Sequence, residues 1–211
     1  MQCCNSYATD GYNENILQNY VIQVLSTTRA IQFTKQAEKA IQTMTLQKLL
    51  QQLNAEITKY STWKHQTHDM LLQMKLRSLL FDLVHYVTVV EELIQNNTMH
   101  VNDWHWLAQL KFYLGSDNGS ANFKEATRTS VVMRMVYAEF EYSYEFLGNP
   151  NKLVSTRLTH KCYLILTQAM HMGLGGNPFG PAGTGKTECV KALGGMLGRL
   201  VLVFNCDEVS I

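Results

Sequence analysis

Between Asn13 and Asn97 the chain contains neither a glycine nor a proline. A run of that length without either breaker excludes the closely spaced turns of an all-β fold and predicts long helices. Apolar residues recur through it at three- and four-residue steps. Leu17, Val21 and Val24 open one stripe, while Leu46, Leu49, Leu50, Leu53, Ile57 and Tyr60 form another, with Lys48, Gln51, Gln52 and Glu56 on the opposite side. From Met70 to Ile94 the apolar density rises through Leu71, Leu72, Met74, Leu76, Leu79, Leu80, Phe81, Leu83, Val84, Val87, Val90 and Leu93. That density predicts a helix packed on more than one side, in the middle of a bundle.

The breakers collect elsewhere. Of the 13 glycines, 9 lie between Gly173 and Gly198, and all 3 prolines (Pro150, Pro178, Pro181) stand at or after residue 150, so two differently built parts are joined. With 46% hydrophobic and 17% charged residues over 211 positions, the chain is not of the disordered class. Lys and Arg number 18 against 17 Asp and Glu, which leaves no net positive field to hold nucleic acid or an anionic membrane. No stretch approaches the ~20 apolar residues of a membrane span, and the start, Met1-Gln-Cys-Cys-Asn-Ser-Tyr7, lacks a leader pattern, so neither secretion nor membrane insertion is expected. Five cysteines (Cys3, Cys4, Cys162, Cys189, Cys206) form an odd set with no C-x-x-C pair, which fits a reducing, cytoplasmic location.

Past the helical run, a short helix reads from Asn102 to Phe112 and a loop from Gly115 to Gly119. The period then changes to two. Ala138, Phe140, Tyr142, Tyr144 and Phe146 alternate with Glu139, Glu141, Ser143 and Glu145, predicting a half-buried strand with a carboxylate-bearing outer face that Gly148-Asn-Pro150 ends. Leu153-Val154 reads as a short extended piece and Lys161 to Met172 as a helix.

Gly180-Pro-Ala-Gly-Thr-Gly-Lys-Thr187 fills every fixed position of G-x-x-x-x-G-K-[ST], the Walker A phosphate loop. The chemistry needs these residue types. Glycines admit backbone torsions that turn successive N–H groups inward as a nest for phosphate oxygens, and the following helix adds its positive end. Lys186 is then placed for the β- and γ-phosphates, Thr187 for Mg²⁺, and Pro181 stiffens the loop. A helix through Glu188, Val190, Lys191, Leu193 and Leu197 and an apolar strand, Leu200-Val-Leu-Val-Phe204, follow in the order an α/β nucleotide-binding fold requires. The strand expected before the loop is reduced to Leu174–Phe179. Asn205-Cys-Asp-Glu208 resembles a Walker B end but belongs to the first strand after the loop helix, so a strand-end Asp and Glu is the plainer reading.

Other constellations favour ordinary structural roles. His65 and His68 lack a third ligand at metal spacing and read as a solvated helix face. Trp104-His-Trp106 reads as a helix end packed on a core rather than a stacking platform for bases. Glu139, Glu141 and Glu145 read as a solvated or cross-paired strand face. Cys162, Cys189 and Cys206 read as small core residues.

The run Gly175-Gly-Asn-Pro-Phe-Gly-Pro-Ala-Gly-Thr-Gly-Lys-Thr-Glu188, with Val190-Lys-Ala-Leu193, Leu197-Gly-Arg199 and Val201-Leu-Val-Phe-Asn-Cys-Asp-Glu208, resembles the first AAA+ module of dynein heavy chains. Phe140–Asn149, Lys152-Leu-Val154 and Cys162-Tyr163 look like the segment leading into that module, and Trp106–Tyr113 is similar to the end of the dynein linker. Within the family, Leu164–Met170, Met172–Pro178 and Lys191–Gly195 look most like the type that drives retrograde intraflagellar transport. The resemblance implies a mixed fold: a helical C-terminal part of the linker over 1–145, then over 146–211 the beginning of an α/β P-loop (AAA+) domain. It implies a small internal piece of a very long heavy chain, an ATP-driven, minus-end-directed microtubule motor of the cytoplasm, the cytoskeleton and the cilium. Its partners would be the rest of the ring, the microtubule through a stalk, and intermediate and light intermediate chains through a tail.

The cofactors implied are ATP and Mg²⁺. The implied contacts are Gly180, Pro181, Ala182, Gly183, Thr184, Gly185, Lys186, Thr187 and Glu188, with Leu153 and Val154 at the adenine and Thr187 on the metal. Hydrolysis there is an in-line attack by water, for which the family's catalytic acid, sensors, lid and arginine finger lie outside this sequence, so no turnover by the chain alone is expected. One departure stands out. Where the family runs Thr-Pro-Leu-Thr-Asp, this chain has Thr156-Arg-Leu-Thr-His160, and losing an N1 proline and an early acid predicts a helix start weakened by about 1 kcal/mol. Two other readings stand beside the motor: a helical interaction module that at most binds nucleotide weakly, and a small stand-alone P-loop NTPase using Asp207 or Glu208 as its metal acid.

Overall fold

The structure is a computed structural model that describes residues 13–115, 130–149 and 152–204. The glycine-free run forms four helices, α1 (Glu14–Asn19), α2 (Ile22–Gln42), α3 (Leu46–Gln66) and α4 (Met70–Gln95). Its turns are made without glycine: Met44 (φ 55°) and Asn97 (φ 50°) take left-handed torsions just past the ends of α2 and α4. At each end the amide three residues beyond the helix closes back on it, Thr45 N on Ala40 O at 2.8 Å and Thr98 N on Leu93 O at 3.0 Å.

The expected Leu17–Val21–Val24 stripe is not one face. Asn13 caps α1 by accepting from Ile16 N at 3.0 Å, but the helix breaks at Tyr20, and the restart at Ile22 changes the phase. Leu17 is buried while Val21 and Val24 are exposed, and α2 buries Ile22, Leu25, Phe33, Ala37 and Ile41 instead. On α3 the expected stripe holds, with Leu46, Leu49, Leu53 and Tyr60 buried. Glu56 departs from its expected solvated side. It meets Arg29 of α2 at 2.8 Å, where the Arg29 side chain is only 2% exposed. Helix α4 packs against α1, α2, α3 and α5 through Leu72, Leu76, Leu79, Leu83, Val90 and Leu93. Burial of each such side chain contributes about 1.5–3 kcal/mol. Leu71, Met74, Phe81 and Val84 nevertheless face outward, so α4 is central on one side only.

The helix expected over 102–112 is a single turn, α5 (Trp104–Leu107), and Lys111–Leu114 is strand β1. It pairs antiparallel with β2 (Val131–Met135), which pairs antiparallel with β3 (Ala138–Glu141); Phe112, Met133 and Phe140 stand in register across the three. A Val- and Met-rich partner thus overrides the local helical spacing at Lys111 and Phe112. The strand expected from Ala138 to Phe146 stops at Glu141. Tyr142 is buried, but Tyr144 takes φ 57° and, like Phe146, is exposed. Helix α6 (Arg157–His171) packs on β2 and β3, and α7 (Lys186–Met196) packs on α6.

Lys111 is 4% exposed, beside Trp106 and donating to Leu107 O at 3.3 Å. Burial lowers its pKa to about 8, against an opposing pull from Glu38. Above pH 8 the unfolded chain therefore holds this proton more tightly than the folded one, so stability increases as pH rises. We expect a gain on the order of 2–3 kcal/mol between pH 8 and 10 in urea melts, absent in Lys111→Met. Tyr113, raised by burial and its hydrogen bond to Glu38, reverses the trend above pH 10.

Candidate functional site

Helix α6 starts at Arg157 with a capping box: Thr156 Oγ1 accepts from Thr159 N at 3.2 Å and Thr159 Oγ1 accepts from Thr156 N at 2.8 Å. The reciprocal pair satisfies two amides without a proline or an early acid, which offsets the weakening expected from Arg157 and His160. His160 is used elsewhere, with its Nε2 3.1 Å from Ala108 O. The approach to α6, residues 152–156, has no regular secondary structure, and Leu153 and Val154 stand there exposed.

That approach is tied to the helices. Lys152 Nζ contacts Asp82 of α4 at 2.5 Å and Ser26 of α2 at 2.9 Å. Gln23 donates to Tyr142 Oη and to Glu145 O, each at 2.8 Å, and accepts from Leu147 N at 3.2 Å. Neither Gln23 nor Lys152 carries a sequence signal, because their partners lie 70 to 126 positions away.

The residues read as a phosphate loop lie between an irregular segment, 174–181, and α7. Gly183 (φ 76°) and Gly185 (φ 78°) take left-handed torsions that a side chain would strain. Gly185 is the N-cap of α7, and the helix's first internal bond runs from Cys189 N to Gly185 O at 2.9 Å. The amides of Lys186, Thr187 and Glu188 thus have no acceptor within the helix and crown its positive end. Thr184 Oγ1 donates to Pro181 O at 2.9 Å, closing the loop. Lys186 Nζ folds back on Pro181 O at 2.5 Å and lies 3.4 Å from Thr184 Oγ1. The loop's cation is therefore held over the loop itself. Thr187 and Glu188 are exposed, and Glu188 pairs with Lys191 at 2.9 Å.

Helix α7 is seated by Cys189, Leu193 and Leu197, all buried. Its C-terminal end is bound by the segment after β3: Ser143 N donates to Leu197 O at 3.2 Å, Glu145 N to Gly198 O at 3.0 Å, and Leu200 N to the Glu145 carboxylate at 2.6 Å. Gly198 has φ 66°, and an added Cβ would lie 2.6 Å from the Tyr142 ring. Gly198→Ala should therefore lose about 2–4 kcal/mol in chemical denaturation, combining left-handed strain with a ring displacement. The strand expected over Leu200–Phe204 does not form a ladder. Leu200, Leu202 and Phe204 are more than half exposed, because the described residues offer no neighbouring strand. The short strand before the loop is likewise absent.

Among the remaining candidates, Glu139 is cross-paired with Arg134 at 2.9 Å. Trp106 is buried on the core while Trp104 is exposed. His65 and His68 are exposed, and the described residues contain no group of three metal-capable side chains. Asp207, Glu208, Cys3, Cys4 and Cys206 lie outside the described residues. No helix among the described residues is long and apolar enough to cross a membrane.

Left-handed glycines, a lysine folded over its own loop and a helix that opens at Gly185 are the features a phosphate-binding loop requires. The family described as the hydrolytic ATP binding site of the dynein motor region matches residues 142–210. The chain is 48% identical over 196 residues to cytoplasmic dynein 2 heavy chain 1 of Tripneustes gratilla, 46% over 192 to that of Homo sapiens and 44% over 188 to that of Chlamydomonas reinhardtii. These alignments cover 90%, 88% and 88% of this chain. It belongs to the dynein heavy-chain family. The chain spans about 4% of the length of these relatives.

Proposed function

We propose that the chain carries the ATP phosphate loop of the first AAA+ module of a dynein heavy chain, behind the C-terminal part of its linker. The boundary falls near residues 145 and 146, and the motor is of the ciliary, retrograde intraflagellar-transport type. The observation that carries this reading is the loop 180–187. Its glycine torsions, outward amides and lysine lie within the span matched to the dynein ATP-binding family.

The residues fit the group they would hold. The amides of Lys186, Thr187 and Glu188 have no acceptor within α7, and the Lys186 amine is within reach of the loop's interior. Bound ATP supplies a transferable phosphoryl group and Mg²⁺ its charge neutralisation. On the protein side, Lys186 would leave Pro181 O for phosphate oxygens, Thr187 would turn its exposed hydroxyl to the metal, and Gly180 through Gly185 would wrap the phosphates. Glu188 lies at the first turn of α7, and Leu153 and Val154 would approach the adenine. The cytoskeletal setting, minus-end movement on microtubules and assembly with the ring, intermediate and light intermediate chains belong to the whole heavy chain.

Titrating the chain with a fluorescent ATP analogue tests the site, and Mg²⁺-dependent saturation is the expected result. Absence of binding at millimolar nucleotide would leave the chain as a helical interaction module.

A further inference from the structure

Two of the cysteines read from sequence as separate core residues, Cys162 and Cys189, are brought to one helix–helix contact. On α6 the buried residues Thr159, Tyr163, Leu166 and Thr167 face the fold, and Cys162 sits at the edge of that face, half-buried. On α7 the buried face is Cys189, Leu193 and Gly194, with Cys189 one turn past the phosphate-loop lysine. The two helices are in direct contact, with Cα atoms within 8 Å. Cys189 belongs to the buried core cluster and Cys162 packs against it, and neither is in a disulfide.

The electrostatics agree with the packing. Burial first, and the Cys189 thiol second, push the Cys162 thiol up. Tyr163 is raised to about 12 by burial, then by Cys189 and Cys162. The Cys189 thiol on α7 thus bears on two groups of α6 across the α6–α7 contact.

We propose that Cys162 and Cys189 are a reversible dithiol–disulfide pair whose closure ties the phosphate-loop helix to α6. Half-buried Cys162 is the entry point for a peroxide. Its thiolate attacks one peroxide oxygen and the O–O bond breaks, releasing water after protonation and leaving a sulfenic acid. Cys189 sulfur then attacks the Cys162 sulfur, the S–O bond breaks, and a second water leaves with the remaining proton. Two thiols and one hydrogen peroxide give one disulfide and two waters, with sulfur oxidised and peroxide oxygen reduced. A small thiol reverses the step by exchange. The raised Cys162 leaves little thiolate near neutral pH, so the pair answers a sustained oxidant load rather than a brief pulse. None of this requires that the loop hold nucleotide.

The test is to treat the native chain with hydrogen peroxide, block remaining thiols with N-ethylmaleimide, digest with trypsin and analyse by mass spectrometry. Cleavage after Lys161, Lys186 and Lys191 places the two cysteines on separate peptides, Cys162–Lys186 and Thr187–Lys191. The expected product is those peptides joined, two hydrogens lighter than their sum, lost on dithiothreitol treatment and absent in Cys162→Ser and in Cys189→Ser. Hydrogen exchange at amides 187–190 should slow about tenfold in the oxidised chain and recover on reduction. Full maleimide labelling of both cysteines after peroxide, preferential linkage of either to Cys3, Cys4 or Cys206, or unchanged exchange in the joined species would overturn the proposal. Far-UV circular dichroism of the serine variants guards against loss of fold.

Discussion

Lys186→Ala should weaken Mg²⁺-dependent ATP binding by about 100-fold. A cation on phosphate oxygens makes charge-assisted hydrogen bonds worth about 1.5–3 kcal/mol each, and tenfold in affinity corresponds to about 1.4 kcal/mol. The fold should survive the change. In this structure the amine bonds to Pro181 O and Thr184 Oγ1, both exposed loop residues, so nothing in the core depends on it. Titration of both proteins with the fluorescent analogue, alongside a thermal melt, separates the two effects. An unchanged affinity with an unchanged melt would remove Lys186 from the site. Lys186→Arg should rescue binding only in part, because a planar fork cannot occupy the point position of an ammonium at the end of this short loop.

Glu56→Ala should cost about 3–5 kcal/mol of stability. It removes the carboxylate that meets a guanidinium held at 2% exposure at 2.8 Å, and breaking a buried ion pair from one side is costly. The damage would spread. Arg29 lies 5.6 Å over the Tyr86 ring, which stacks on Phe33 at 4.1 Å, and Phe33 in turn meets Trp106 edge-on at 6.3 Å. Glu56 also accepts from Tyr60 Oη at 3.1 Å. In contrast, replacing both partners together, Arg29→Met with Glu56→Leu, should come within about 1 kcal/mol of the parent, since an apolar pair needs no compensation there. Urea denaturation of the single and double variants gives the comparison. A Glu56→Ala loss below 1 kcal/mol would mean that the pair is solvent-screened.

What could be read in advance followed the range of the interactions. The helical run, the stripe on α3 and the phosphate loop depend on neighbours three to seven positions away, and the chain displays those spacings openly. The helix expected to Phe112 overruns the start of β1, because the pairing residues, Val131 to Arg134, are distant in sequence and local spacing cannot announce them. Strand β3 is shorter than its alternation, which continues to Phe146 while the pairing with β2 ends at Glu141. The Arg29–Glu56 pair was hidden for another reason: Glu56 sits at a position that helical arithmetic assigns to solvent, and only the crossing of α2 over α3 turns it inward. At the phosphate loop, sequence named the glycines, lysine and threonine, but not the ties through Gln23 and Lys152 that hold the approach to it.

Those ties bear on where the molecule comes apart. A boundary near residue 145 looks like a seam between two folding units, yet Gln23 bonds on both sides of it, to Tyr142 and to Leu147. The same segment binds the end of α7 through Ser143 and Glu145. Opening α7 therefore loosens the strap on α2, and unfolding α2 releases the seat of α7. Sub-global opening should follow this shared strap rather than the change in composition, so the helical bundle and the phosphate-loop helix belong to one cooperative unit.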